Sequence, residues 1–569
     1  MTVPAALLIL TWAVPLVFGL LYALRIGALV PLAALAALPG LLTALLVPIG
    51  TAIEIPAMLL GTQFALDETG QRVLFFSALL WLAASIFALG YMRTDDARPT
   101  FFIFFLLAMA GNLGLILAGD MMSFYTFFAL MSFASYGLII HTRKPDVYYA
   151  GYIYIVLVVI GEVLLFAGLV LMATSSGTFI LSELAQRPID SLSATLVFIS
   201  FGIKAGVVIL HLWLPLAHPA APIPASAVLS GAMIKAGLLG WLRFLNPAEP
   251  TGWGELIIVL GLVTAFYGAV IGVSQVNPKT VLAYSSISQM GFIMVGVGAW
   301  LLSPTQGREV ALIAIALYAA SHGLAKGALF LGVAFAGASR LVPLLLLLPA
   351  LALAGLPLTS GAVAKTALKS VTDGLPVDWA GQLTLPLSLA AVGTTLLMAR
   401  FLWLIWHSPA PQKGQPRPVW LVWFALLGCV AALFFLLPDA ATPLTDSLKP
   451  DKLWPAIVPI LAGAGIAAGA VVAGRYVKVS PMPFVPAGDL VYVFAALTRR
   501  LRASAEKMLQ GLAQTEQRLQ TQLKAGIDLS ALRETTAQLE LRLRQDWLVA
   551  GGTILITALA ILLFAWLAF

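Results

Sequence analysis

The chain has 569 residues, 61% of them hydrophobic and 10% charged, and a mean hydropathy of +0.99. A soluble domain carries about 25% charged residues, so an ordinary soluble protein is excluded and a polytopic membrane protein is expected. The net charge of +7 is explained below by topology and makes no case for nucleic acid, while the single cysteine, Cys429, excludes an intrachain disulfide and cannot alone hold a cysteine-ligated cluster.

Apolar runs of about 20 residues predict an all-α chain with sixteen membrane spans, 4–25, 27–48, 73–92, 101–118, 120–141, 148–173, 194–216, 225–245, 252–274, 279–301, 308–337, 341–372 (interrupted), 383–406, 418–437, 452–473 and 547–569. The first run reads as a retained span, because no small-residue cleavage site leads into a soluble domain and a second span follows at once. With the N-terminus outside, the odd-numbered connections hold Arg93, Arg98, Arg143, Lys144, Arg340 and Arg400, whereas the even-numbered ones hold mostly acids such as Glu54, Asp67, Asp190, Asp373 and Asp446. The odd connections are therefore expected on the cytoplasmic side. Between the last two spans, a Pro-rich turn leads into a stretch with Leu497, Leu501, Met508, Leu512 and Leu519 at helical spacing. It predicts a cytoplasmic amphipathic helix over 488–546, with Gly526 as a point of interruption.

The membrane segments contain few titratable groups. Lys204, Lys235, Lys326 and Lys365 all fall inside apolar runs, and each opposes insertion by about 2.5 to 3.5 kcal/mol. Lys204 and Lys235 are too far from their span ends for easy snorkelling. The one central acid is Glu162, and a carboxylate at that depth keeps its charge only beside a cation, which makes lysine its natural partner. His322 precedes Lys326 by four residues and shares its helix face. Ser285, Ser286, Ser288 and Gln289 are candidates to line water, although serine in such helices commonly bonds its own backbone. His211 and His218 are candidates for a channel mouth. Leu356, Pro357, Leu358, Thr359 and Ser360 should interrupt the helix before Lys365, as happens where a span borders a cavity. Alternating lysine, histidine and one carboxylate suggests lateral proton transfer, in which moving one charge changes the proton affinity of the next.

The segments KTVLAYSSISQMGFIMVGVGA (279–299), SHGLAKGALFLG (321–332), HLWLPLAHPAAPIPASAVLSGAMIKAGLLGWLRF (211–244) and LAGLPLTSGAVAKTAL (353–368) resemble the antiporter-like subunits of respiratory complex I, Mrp-type cation/proton antiporters and membrane-bound hydrogenases. The resemblance covers about residues 70–410. It implies two inverted five-helix repeats, 101–245 and 252–406, each with a broken helix, flanked by N-terminal helices (1–100), spans at 418–473, the lateral helix (488–546) and an anchor span (547–569). It further implies that Lys204 and Lys365 belong to the two broken helices, that Lys235 bridges the halves, and that His322 and Lys326 serve the second. Two departures stand out. A glutamate of the fifth span is replaced by Ala129, and Leu216 in WLPLAH stands where the family has aspartate. Glu162 is the expected replacement partner for Lys204.

The function so implied is proton translocation within a multisubunit complex in a bacterial or archaeal cytoplasmic membrane, with partner subunits and lipid around the chain and protons or Na+ as cargo. Alternatives are a Na+/H+ exchange module, the proton-driven membrane subunit of an inorganic-carbon uptake system, and a non-conducting scaffold. No Walker lysine loop, dinucleotide fingerprint or metal-spaced Cys/His set occurs. No catalytic residue, cofactor or metal is expected in this chain, and any oxidoreductase chemistry falls to partners.

Overall fold

The computed structural model describes residues 2–24, 27–59, 61–245, 252–376, 379, 381–410, 414–436, 440–476 and 485–492, with scattered positions between 496 and 537. The chain divides into two units, Met1–Leu490 and Val491–Phe569. In the second, every described position is helical. The expected lateral helix and last span otherwise lie outside the described residues.

The first unit runs through α1 (Val3–Ala23), α2 (Leu38–Leu46), α3 (Glu68–Tyr91), α4 (Arg98–Leu117), α5 (Met121–Ile139), α6 (Pro145–Ser176), α7 (Leu181–Leu184), α8 (Ser191–Ala205), α9 (Leu214–Ala220), α10 (Ile223–Val228) and α11 (Lys235–Phe244). It continues through α12 (Trp253–Val273), α13 (Pro278–Leu302), α14 (Thr305–Gly332), α15 (Leu341–Ala354), α16 (Ser360–Asp373), α17 (Thr384–Trp406), α18 (Arg417–Leu436), α19 (Ala441–Ser447) and α20 (Pro450–Tyr476). Among the described residues, 11 helices are long and apolar enough to cross a membrane. Shorter apolar helices at Pro31–Leu46, Ser191–Ala205, Leu341–Ala354 and Arg417–Leu433 overlap the expected second, seventh, twelfth and fourteenth spans.

Two places differ from the sequence expectation, and a third, at the seventh run, differs from the apolar pattern but agrees with the break that the resemblance implies. The second span begins as a 3-10 helix over Gly27–Leu35 that contains Pro31, a residue without the N–H a regular helix needs. Before α3 the chain makes a small antiparallel hairpin, β1 (Ala52–Ile55) with β2 (Thr62–Ala65), so the fold is not all-helical. Its β-branched and alternating residues lie outside the apolar runs, where a strand edge can meet water. The seventh run is not continuous. α8 stops at Ala205, and Gly206, at φ 77°, caps it in the left-handed region that glycine tolerates.

The most enclosed helices form the centre. Every residue of the most apolar window of α13 is buried, as is 94% of that in the α10–α11 segment, against 17% for α20 and 22% for α1. The expected polar row therefore lies in the interior. α12 and α13 approach closely because both carry small residues at heptad spacing: Gly254, Gly261 and Gly268 face backbone of α13, and Gly291 and Gly298 face backbone of α12.

Candidate functional site

Lys204 occupies the last turn of α8, next to the break. A cation there complements the carbonyl end of the helix. Its ammonium donates to the Ser132 hydroxyl at 3.2 Å and to the Tyr154 hydroxyl at 3.4 Å, and it lies 5.8 Å from the ring centroids of both Phe128 and Tyr154. Glu162 of α6 lines the same small cavity with Ser132, Tyr154, Ser200 and Trp213. Both its carboxylate oxygens are buried without a hydrogen-bond partner among the described residues, and no ion pair within 4.0 Å joins it to Lys204. The structure therefore brings the two charges to one cavity, while the groups in contact with the ammonium are a serine and a tyrosine.

Lys235 opens α11 after a π-helical turn over Leu229–Met233. The wider turn leaves the Ser230 carbonyl able to accept from the Lys235 ammonium at 2.7 Å. The Ser230 hydroxyl lies 2.7 Å from that of Ser286, which donates to the Leu282 carbonyl at 2.9 Å. The same carbonyl accepts from the Lys326 ammonium at 2.8 Å. Ser230, Ser286 and Leu282 thus link Lys235 to Lys326 by short polar contacts. The π turn meets α14 at a glycine pair: a Cβ on Gly231 would sit 2.7 Å from the Gly323 carbonyl oxygen.

His322 is buried in α14 with both ring nitrogens unpartnered among the described residues. It lines a second small cavity with Gln289, Tyr318, Ser321 and Lys365. Gln289 is ordered at both ends, donating to the Thr394 hydroxyl at 2.9 Å and accepting from the Tyr318 hydroxyl at 3.0 Å. Ser285 and Ser288 are buried and unpartnered among the described residues, as water-lining groups would be.

The second helix break falls where the Leu-Pro-Leu-Thr sequence placed it. α15 ends at Ala354, Gly355 and Leu358 take φ of 91° and 67°, and Thr359 caps α16. Lys365 then turns back to donate to the Ala354 carbonyl at 2.8 Å. Gly355 makes room for it, since a Cβ there would lie 2.8 Å from the lysine Cδ. On its other side Lys365 lines a cavity of about 150 Å³ with Lys369, Asp373, Asp451 and Lys452.

The two mouth candidates part company. His211 is fully buried in the unwound stretch between α8 and α9, with Nε2 3.5 Å from Asp489. His218 is buried in α9 and stacks on Phe330 at 4.6 Å. Sequence reading missed Ser132, Tyr154, Ser230, Tyr318 and Asp489. Tyr154 precedes Glu162 by eight residues, about two helical turns, which was a usable signal. Nothing local marks Asp489 as a partner of His211.

The profile "NADH:quinone oxidoreductase/Mrp antiporter, TM" matches residues 118–374. NAD(P)H-quinone oxidoreductase chain 4 1 of Synechococcus elongatus is 31% identical over 388 residues, 62% of this chain and 71% of that one. The chain belongs to this antiporter-like family. Hydrogenase-4 component B of Escherichia coli is 29% identical over 282 residues, 47% of this chain and 42% of that protein, so the match spans less than half of the relative. A chain in the Mrp complex of Dietzia sp. DQ12-45-1b shares the fold, with a TM-score of 0.75 at 22% identity, covering 98% of this chain and 63% of that one. Within the antiporter-like family's matched region lie Glu162, Lys204, Lys235, His322, Lys326 and Lys365.

Proposed function

We propose that this antiporter-like subunit moves protons laterally through the membrane interior, as one part of a multisubunit complex whose driving reaction belongs to its partners. Glu162 and Lys204 form the input pair, Lys235 the bridge, and His322, Lys326 and Lys365 the exit half. The observation that carries the reading is the contact series from Lys235 through Ser230, Ser286 and Leu282 to Lys326. Lysines kept at this depth cost several kcal/mol each, and buried polar groups in a membrane lie along ion and proton paths. The cavity beside Glu162 and Lys204 supports the relocated acid, because a single water there would join groups that do not touch. The two broken helices support the reading of two inverted repeats, each centred on one break.

The test is proton flux in proteoliposomes containing the whole complex, comparing wild type with Glu162→Gln and Lys204→Met at equal assembly. Loss of flux in both is expected. Unchanged flux in both sinks the relay and leaves the scaffold reading, which the replacement of the family glutamate by Ala129 favours.

A further inference from the structure

The unwound stretch between α8 and α9 contains Ile209 at φ 75°, 56% exposed. A β-branched residue avoids the left-handed region, and such a conformation persists only where its surroundings hold it. Three tethers do so. The Val208 N–H donates to the Thr264 hydroxyl at 3.2 Å, and the Trp213 indole N–H donates to the Ile203 carbonyl at 2.7 Å, next to Lys204. The third is the approach of His211 Nε2 to within 3.5 Å of the Asp489 carboxylate, a close contact without hydrogen-bond geometry, since both ring nitrogens lack a hydrogen-bond partner among the described residues.

Asp489 comes from the end of the first unit, far away in sequence, yet its side chain is only 4% exposed. The Tyr267 hydroxyl donates to its Oδ2, and the Leu490 N–H donates to its Oδ1 at 2.6 Å. The turn before it is seated as well. Gln275 donates to the Val485 carbonyl at 2.9 Å, and Gly488, at φ 77°, packs on Leu216 so closely that a Cβ would lie 2.9 Å from Leu216 Cδ2. The rings of Tyr267 and Tyr284 lie 5.1 Å and 6.4 Å from that of His211. A buried carboxylate in such a seat is costly to leave without its partners, unlike an exposed ion pair.

We infer that Asp489 is a positioning residue for the first broken helix, fixing the strained His211 segment so that the last turn of α8 presents Lys204 to its partners. The inference rests on the proton-carrying role proposed for Lys204. Where the sequence has Leu216 in place of a loop acid, the carboxylate at this end of the broken helix comes from Asp489 instead.

The experiment measures proton flux in proteoliposomes of the complete complex for wild type, Lys204→Met, Asp489→Asn, and Asp489→Asn combined with Ile209→Gly. Asp489→Asn should lower flux several-fold at equal assembly. Adding Ile209→Gly should recover most of it, because glycine takes the required φ without strain and no longer needs the tether. An aspartate that served only to pack the turn around Gly488 would not be rescued by a glycine at position 209. Wild-type flux in Asp489→Asn, or a loss that Ile209→Gly leaves untouched, overturns the inference. If Lys204→Met abolishes flux while Asp489→Asn does not, only the positioning role fails, whereas wild-type flux in Lys204→Met removes the transport reading and this inference with it. Should Asp489→Asn assemble poorly, His211→Asn breaks the same contact from the other side, with the same rescue expected.

Discussion

Ser286 bonds to the Ser230 hydroxyl and to the Leu282 carbonyl, so one hydroxyl ties the residue whose carbonyl accepts from Lys235 to the carbonyl that accepts from Lys326. Ser286→Ala leaves the Ser230 hydroxyl without that partner and should destabilise the protein by about 1 kcal/mol, read as a lower unfolding temperature in detergent. Ser286→Thr, which keeps a hydroxyl, should restore the stability. A second residue-scale test concerns Asp190, which caps α8: it accepts from the Ser193 amide at 2.9 Å and from the Ser193 hydroxyl at 2.5 Å. Burial opposes its charge, but these hydrogen bonds outweigh burial and hold its carboxyl below the ordinary aspartate range. A group with a lowered folded-state pKa contributes stability above its unfolded value of about 3.9 and loses it as pH falls through the folded value. Asp190→Ala should therefore cost about 1 kcal/mol from pH 8 to pH 5, with the gap to wild type narrowing under stronger acid. A gap independent of pH down to the acid limit would assign the effect to packing. The lysines and Glu162 were legible in the sequence because charge in an apolar run is conspicuous. The serines, tyrosines and carbonyls that contact them were not, since such groups recur throughout membrane helices and only the packing shows which of them meet.

At the scale of elements, the two helix breaks were unequally visible. Pro357 and the polar residues after it announced the second, whereas the first follows Gly206 in a run that stays apolar through Leu216 and reads as continuous. The π turn over Leu229–Met233 was equally silent, because one extra residue in a helical turn leaves no change in composition. It is held in place by the Gly231–Gly323 approach, which admits no side chain: a Cβ on Gly323 would lie 2.6 Å from the Gly231 carbonyl oxygen. Gly323→Ala should therefore push the turn away from α14 at a cost of about 1–3 kcal/mol. Because that turn supplies both Ser230 groups, flux should fall along with stability. Ala325→Gly, on the same helix and also buried, should lower stability by about 1 kcal/mol through helix propensity while leaving the π turn seated and flux close to wild type. Equal loss of flux in both variants would separate the turn from transport.

For the whole molecule, direction is the property that charge asymmetry predicts most simply. The cavity beside Lys365 is bounded by Asp373 at the end of α16, Thr384 at the start of α17, and Asp451 and Lys452 at the start of α20. Asp373 and Asp451 belong to connections, and Thr384 and Lys452 to the adjoining span ends, that the distribution of arginine and lysine places away from the cytoplasm. The cavity of about 150 Å³ has room for several waters, which with this orientation would join Lys365 to that face. A cysteine at Asp451, an exposed position, in a Cys429→Ser background should react with a membrane-impermeant maleimide only from the external side of oriented vesicles. A cysteine at Arg93, exposed in the connection between α3 and α4, should react only from the cytoplasmic side. If Lys365 delivers protons into this cavity, a bulky cationic thiol reagent at position 451 should also lower flux, by blocking water and by placing a fixed positive charge near the lysine. Labelling of Asp451→Cys from the cytoplasmic side would reverse the orientation and make the cavity a point of proton uptake. External labelling without loss of flux would keep the orientation and move the exit elsewhere.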